Sequence, residues 1–541
     1  MISYLFLLCA SLTIMSVVVL KEWSWVVDFS IMNLEILNLS FSFYLEKYNS
    51  IFLFTVLFIF SMVFSYSFSY LSEEIFLKRF LGILTLFVFS MCILILSSNL
   101  FSSLIGWDGL GITSLFLILF YYSKSATKAS TLTFLMNRVG DCFFILGLTQ
   151  VLLLSESFVV YSCSDFLEGV VLLVIMTSIT KSAQIPFSTW LPAAMEAPTP
   201  VSALVHSSTL VTAGIYLLFR YNVLWISSNS KDILMVVSVG TCFMAALSAL
   251  VESDLKKLIA LSTLSQLGFI MLSFSLGLLM QGYLHMLMHA YFKALLFLCS
   301  GLIIHSFKGS QSIINMSLSG KQNPLLMTIM SCALLSMSGL PFLSGFYSKD
   351  LIIDSLKMSQ YSISVVVLMI LSFMCTVAYS VRMVWYLWNS SMNWHSMSDS
   401  DLTMIKPMIP LAMLASLGGS LITWLMTDQE FYINTSKILI LFLLSGTTGI
   451  YWVYSEVKTS SFLEKKWNLT TFNVILSDLF FQSSMSYKNS SDLEGVPEIM
   501  NKYIMREFNN SSWKMAKTMV HYSGNTEFFM FLLVAVALLV M

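Results

Sequence analysis

The sequence predicts an all-α polytopic membrane protein of about 15 transmembrane helices, and three observations carry that expectation. The chain has 541 residues, of which 57% are hydrophobic and 11% charged, against roughly 25% charged in a soluble domain. Its mean hydropathy is +0.83. Its apolar runs are about 20 residues long, enough to cross a bilayer as helices, and lack the alternation of membrane β-strands. A net charge of −1 gives no footing for nucleic acid. Eight cysteines, among them Cys9, Cys142 and Cys299, are scattered through apolar runs without a CxxC. They read as small buried hydrophobes, not as zinc or iron–sulfur ligands.

The elements follow in order. Residues 2–20 are apolar from the start, with no basic leader and no small-residue cleavage site, so they read as a retained helix. Residues 21–48 are amphipathic and read as an external loop with the character of a hairpin. Further spans lie near 50–70, 79–97, 101–122, 130–154, 168–196, 200–222, 231–251, 255–277, 281–304, 324–357, 361–388, 408–427, 434–457 and 526–541. The spans at 168–196 and 324–357 are too long for one straight crossing, and each contains a proline, Pro186 and Pro341. Residues 458–525 carry dense charge, yet Val496, Met500, Tyr503, Ile504 and Phe508 recur at helical spacing. That segment reads as an amphipathic helix along a surface, with a solvated tail as the other reading.

Spacing also shows a repeat. Segments in 79–222 form one five-helix unit and segments in 231–388 a second, with the broken helix fourth in each. Five is odd, so the second unit is inserted upside down, as in transporters built from inverted repeats. The chain thus divides into 1–78 (N-terminal helices and loop), the two repeats, further helices at 408–457, the lateral segment 458–525 and an anchor at 526–541. Basic residues set the orientation. One side holds Lys78, Arg79, Lys124, Lys128, Lys256, Lys257, Lys308, Lys321 and Lys406, and the other holds Lys21, Lys47, Arg220, Lys231, Lys357 and Lys437. The first side, with the N-terminus and the lateral segment, is the expected inside.

The chemistry starts at Lys181. Val170–Thr180 is almost wholly apolar, and Pro186 follows soon after. Proline lacks an N–H and clashes with the carbonyl four residues back, here that of Ser182, so the helix must break beside the charge. A charge at the bilayer centre costs at least about 2.5–3.5 kcal/mol and marks function. Irregular backbone at that depth survives only where protein or a cavity surrounds it. Together these point to an ion or proton pathway.

Asp108 stands in Gly106-Trp107-Asp108-Gly109-Leu110-Gly111, where the glycines allow close helix approach. It is expected to pair with Lys181 and set its proton affinity, a static ion pair being the plainer reading. A sodium site would show more carboxylates and carbonyls than this lysine- and histidine-rich series. His206 opens the helix after the first break and can relay a proton through either ring nitrogen, or simply fill the core. His285, His289 and Lys293 recur at i, i+4, i+8 on one helix face. HxxxH can bind zinc, but the HExxH glutamate is missing and a third cation follows. A proton wire is preferred there over a structural polar stripe. Lys349 and Asp350 lie past the second break, in the place expected to mirror Lys181. Arg138 and Asp141, at i, i+3, read as a supporting structural pair. Asp254, Lys256 and Lys257 read as interfacial charges.

The strings Gly106–Ser114, Asn137–Asp141, Lys181–Gly214, Ala249–Gly268, His285–His305 and Gly339–Asp350 together resemble the NADH dehydrogenase subunit 5 family. That family is the distal antiporter-like subunit of mitochondrial respiratory complex I, NADH:ubiquinone oxidoreductase. The run Trp190-Leu191-Pro192-Ala193-Ala194-Met195-Glu196-Ala197-Pro198-Thr199-Pro200 is especially specific. The resemblance implies a multi-pass protein of the mitochondrial inner membrane, with its N-terminus and lateral helix on the matrix side and 21–48 facing the intermembrane space. A composition rich in Met, Phe, Leu and Ser with few Arg agrees with an organelle-encoded chain. It implies proton translocation without a cofactor in this chain. NADH, FMN, iron–sulfur clusters and ubiquinone are held by other subunits. Asp108 then looks like the acidic partner of the input lysine Lys181, and His206 like the bridge to the second half-channel. His285, His289 and Lys293 look like the central relay, and Lys349 like the exit lysine.

Implied partners are the other membrane subunits of complex I, above all the adjacent antiporter-like subunit reached through the lateral helix, then accessory subunits and phospholipids. Three departures stand out: aspartate at 108 where many relatives have glutamate, one helix fewer before the external loop, and a short lateral segment. The alternative activity is that of the large subunit of a cation/proton antiporter, which shares the core strings. A third reading is a membrane anchor with no working channel.

Overall fold

A computed structural model describes residues 24–33, 38–156, 164–225, 230–316, 323–358, 363–389 and 403–426. All of them lie within the unit Met1–Thr459. The anticipated spans at 2–20, 434–457 and 526–541, and the lateral segment 458–525, fall outside the described residues.

The segment read as a hairpin is one. β1 (Trp25–Asn33) pairs antiparallel with β2 (Asn38–Leu45), from Trp25 opposite Leu45 to Asn33 opposite Asn38, with an irregularity between Ser30 and Met32. Valine, isoleucine and phenylalanine in this stretch suit a pleated strand. The hairpin docks on the bundle where Ser98 N–H donates to Ser42 O at 3.1 Å.

The helices begin with α1 (Lys47–Tyr70), α2 (Leu77–Leu96), α3 (Leu100–Ile118), α4 (Lys124–Glu156) and α5 (Ser164–Lys181). A single turn, Trp190–Ala193, leads to α6 (Thr199–Arg220). Then come α7 (Ser230–Val251), α8 (Leu255–Ser275), α9 (Leu279–Ser306), α10 (Pro324–Ser338), α11 (Ser344–Met358), α12 (Ile363–Asn389) and α13 (Met408–Met426). Ten described helices are long and apolar enough to cross a membrane, and they coincide with the ten unbroken spans anticipated in this part of the chain. Nothing crosses at full length where the two prolines stand. There the shorter apolar helices Gly169–Lys181 and Pro324–Ser338 stop.

Both breaks have local causes. α5 ends at Lys181; the amides of Ser182, Ala183 and Gln184 then find the carbonyls of Ser178, Thr180 and Ile179, closing the last turn. α10 ends at Gly339 in the left-handed region, φ +86°, with its N–H on Leu335 O at 3.2 Å. Glycine adopts that conformation without the Cβ penalty. The two lysines do not occupy mirrored positions in sequence. Lys181 closes the half-helix before its break, whereas Lys349 sits within α11, the half-helix after its break.

α6 carries an unanticipated feature, a π-helical stretch at Ser202–Thr209. Its hydroxyls bond back along the helix: Ser207 to Ala203 O, Ser208 to Leu204 O and Thr209 to Leu204 O, the last five residues back at 2.7 Å. Such wide turns recur at functional sites, and this one contains His206.

α9 is the hub. Its whole spanning window is buried, and it packs against α8, α13, α10, α11, α1 and the π-helical stretch. Among the described helices, the one that stops at the first break, α5, is fourth counted from α2, and the one that stops at the second, α10, is fourth counted from α7. Cys242 and Cys299 are buried as expected, but Cys142 is exposed on the surface of α4.

Candidate functional site

The first polar centre lies where α3, α4 and the end of α5 meet. The expected Asp108–Lys181 pair is replaced by a different arrangement. Arg138 Nη1 reaches Asp108 Oδ1 at 3.2 Å and Asp141 Oδ2 at 3.0 Å, bridging the two carboxylates. Trp107 Nε1 donates to Asp141 Oδ1 at 2.9 Å. Lys181, with no exposed surface, donates from Nζ to Trp107 O at 2.6 Å, and its ammonium stands 3.9 Å from the centroid of the Trp107 ring. The reason is reach and shape. The aspartate side chain is short, while the long arginine places one guanidinium nitrogen, Nη1, between the two carboxylates. Trp107, one residue before Asp108, presents both a carbonyl and a π-face to Lys181, and a desolvated cation over such a ring gains about 2 kcal/mol. Arg138 and Asp141 are therefore more than a structural pair on α4, because they join Asp108 to the residue that holds Lys181.

The glycines of the motif divide by contact. A Cβ on Gly106 would meet the Leu94 backbone nitrogen at 2.7 Å, and one on Gly109 would meet Ser90 Cβ at 2.8 Å, whereas one on Gly111 would meet nothing within 4 Å. The first two seat α3 against α2, the close approach expected of them.

His206 is 1% exposed; its ring lies edge-on to Trp190, centroids 6.4 Å apart, and among the described residues neither ring nitrogen has a hydrogen-bond partner. Trp190 is anchored by its Nε1 on Thr180 O at 3.1 Å, one residue before Lys181. The turn after the break therefore holds the first lysine and this histidine in one packed unit.

The second centre lies between α8, α9, α10 and α11. His285 Nδ1 contacts Ser348 Oγ at 2.8 Å and Nε2 contacts Gln266 Oε1 at 3.2 Å, so both ring nitrogens are engaged by protein. Lys349, next to Ser348, donates to Met337 O across the break and stands 5.6 Å from the centroids of both Phe269 and Phe373. Lys293 donates to Ser262 Oγ at 2.5 Å. His289, on the same face, is buried without a hydrogen-bond partner against Phe292. Asp350 is buried beside Lys349 in α11. Among the described residues no direct hydrogen bond joins Lys181 to His206, or His206 to the α9 group; the π-helical stretch bearing His206 instead packs directly on α9. The structure thus gathers the predicted residues into two centres with His206 between them.

With this geometry in view, the relatives can be weighed. A sequence family described as "NADH:quinone oxidoreductase/Mrp antiporter, TM" matches residues 97–376. NADH-ubiquinone oxidoreductase chain 5 of Anopheles gambiae is 39% identical over 501 residues, covering 90% of this chain and 86% of that one. The chain 5 of Aedes aegypti is 40% identical over 459 residues, covering 82% and 78%. The chain belongs to the chain 5 family of NADH-ubiquinone oxidoreductase. A solved structure, "Structure of Mrp complex from Dietzia sp. DQ12-45-1b", shares the fold with a TM-score of 0.69 at 22% identity. It covers 93% of this chain, which spans 59% of that one.

In this chain 5 family member, several residues at the centres escape motif reading. Gln266 and Ser262 sit in a helix with no exposed face, a position where polar side chains require partners, and that was their signal. Gln184, in the first break, accepts from Thr241 on α7, a pairing that no local pattern announces. Of the three charges read as interfacial, Lys257 pairs with Asp254 at 2.6 Å. Lys256 does not: it is 5% exposed and donates to Ala197 O at 3.1 Å, tying the start of α8 to the loop after the first break.

Proposed function

We propose that this chain is the proton-translocating chain 5 subunit in the membrane arm of complex I, with Asp108, Asp141, Lys181, His206, His285, His289, Lys293 and Lys349 as its relay. The observation that carries the reading is two lysine centres, each at a helix break, separated by buried imidazoles whose helices pack on one another. Buried lysines can shed a proton when their surroundings change, which is the property a pump site needs. Arg138 holds the two carboxylates of the first centre, and Ser348 ties His285 to the exit lysine.

Electron transfer belongs to other subunits under this reading, since the chain 5 name is that of a component of an oxidoreductase and the residues gathered here suit proton exchange. The two five-helix sets form an inverted repeat, with the basic loops and N-terminus facing the mitochondrial matrix. The segment 458–525 runs laterally to the adjacent antiporter-like subunit. The Mrp likeness supports the fold and leaves a stand-alone antiporter as the lesser reading.

The test is Lys181→Ala in the assembled complex, reconstituted in sealed vesicles. The number of protons moved per NADH oxidised should fall clearly. An unchanged ratio at normal assembly would mean that the lysine centres are structural. Sodium-driven proton flux by the chain alone would favour the antiporter.

A further inference from the structure

The relay needs a supply, and the Lys181 centre lies deep in the bundle. Outside that centre, α4 holds a buried polar group that no contact explains. Asn137 is 2% exposed, and among the described residues neither Oδ1 nor Nδ2 has a hydrogen-bond partner. It stands in a row. Ser130, Thr133, Asn137 and Asp141 are all buried and follow at intervals of three, four and four, so they share one side of α4. At 1.5 Å per residue the row is about 16 Å long. N-terminal to the row, α4 reaches the surface at Ser125, whose hydroxyl donates to the Glu196 carboxylate at 3.2 Å, both residues being exposed. The inner end of the row is Asp141, bound to Arg138 and to Trp107, on whose ring Lys181 rests.

Close packing accounts for part of the row. A Cβ on Gly140 would meet Thr180 Oγ1 at 2.2 Å, so small residues let α4 and α5 approach. Ser130 and Thr133 donate to carbonyls of their own helix, those of Thr127 and Ser130. Packing does not account for Asn137, because a leucine would fill the same space without burying an unmet amide. The amide both accepts and donates, so it can hold a hydrogen-bonded file of water without changing its own charge.

We propose that this face of α4 is the proton intake of the Lys181 centre, with Asn137 as the positioning residue that seats the hydrating water between the Ser125–Glu196 surface and the Asp141 carboxylate. The proposal rests on the pumping role above. For each turnover one proton enters at the surface and one passes from Asp141 to a neutral Lys181 amine, with only O–H and N–H bonds exchanged. The charged groups around the row are Asp108 from α3, Lys181 from α5, Glu196 from the turn after the break, and Arg138 and Asp141 on α4 itself.

The test uses the assembled complex in sealed vesicles. Asn137→Leu should lower the proton-to-electron ratio to the level of Lys181→Ala. Before that limit is reached, pumping should weaken more steeply than in the native complex as the pH on the Glu196 side rises, since proton supply has become limiting. Asn137→Ser, which keeps a hydroxyl for water, should restore most of the ratio. A native ratio and pH profile in assembled Asn137→Leu overturns the proposal. If that variant fails to assemble, Thr133→Val decides on the same readouts. Lys181→Ala separates the two readings: a normal ratio there removes the pumping role and the intake with it. A lowered ratio there, beside a normal one in Asn137→Leu, removes the intake alone.

Discussion

At the scale of residues, Arg138 decides how the first centre is built. Its side chain and that of Asp108 are more than one-third exposed, so an isolated pair of this kind would add little. The arrangement gains from the second contact of the same Nη1, with Asp141, a residue nearly closed to solvent and also bonded to Trp107. Removing the guanidinium takes from that carboxylate its direct ion-pair partner, a loss of about 1–3 kcal/mol. Arg138→Leu should therefore lower the thermal inactivation temperature of the solubilised complex. Arg138→Lys should fall between, because an ammonium keeps the positive charge but sits on a shorter stem and lacks the fixed planar geometry of the guanidinium. Equal stability for the leucine and lysine variants would show that the bridge is immaterial. The sequence made every member of this centre visible, since charges in apolar helices stand out. It did not reveal the pairing, because whether aspartate reaches lysine or arginine depends on side-chain length and on the rotation of three helices.

The elements were legible where composition and period coincide: ten unbroken spans and two broken ones stand close to where apolar runs and internal prolines put them. The hairpin was legible for the same reason. The π-helical stretch was not, since its cause is a set of serine and threonine hydroxyls that bond back along α6, and those residues read locally as merely polar. The second break depends on one close approach. A Cβ on Gly345 would lie 2.1 Å from the Ser336 carbonyl oxygen, a rigid backbone atom. Gly345→Ala must push α10 and α11 apart, at or above the range of about 1–3 kcal/mol typical of overpacking. The amount of assembled complex should drop sharply. Gly111→Ala, whose Cβ meets nothing within 4 Å, should assemble normally and serves as the matched control.

At the scale of the whole molecule, helices are joined by groups far apart in sequence. Near the hairpin, Tyr216 donates to Asn49 Oδ1 at 2.7 Å, joining α6 to α1. Deeper in, Gln184 of the first break accepts from Thr241 of α7, so the irregular backbone beside Lys181 is tied to the unit that carries Lys349. The two ends of this link are not equivalent. Thr241 has a second acceptor within reach, Ser238 O at 2.8 Å on its own helix. Gln184 is 1% exposed, and its carbonyl oxygen has no such fallback among the described residues. Gln184→Leu therefore leaves the threonine hydroxyl satisfied, whereas Thr241→Val strands a buried amide oxygen at about 1–3 kcal/mol. Thr241→Val should be the more destabilising single change, measured as thermal inactivation of the complex. In the double variant Gln184→Leu/Thr241→Val neither side chain leaves the other unmet, and the loss of the Gln184 Nε2 donor to Ser182 O at 3.3 Å is common to the double variant and the glutamine single. The double variant's loss of stability should be smaller than the sum of the singles, with a coupling of about 0.5–3 kcal/mol. Strict additivity would mean that α7 and the first break are not coupled through this contact, and that other links, such as Lys256 on Ala197 O and the packing of α9 on the π-helical stretch, join these elements.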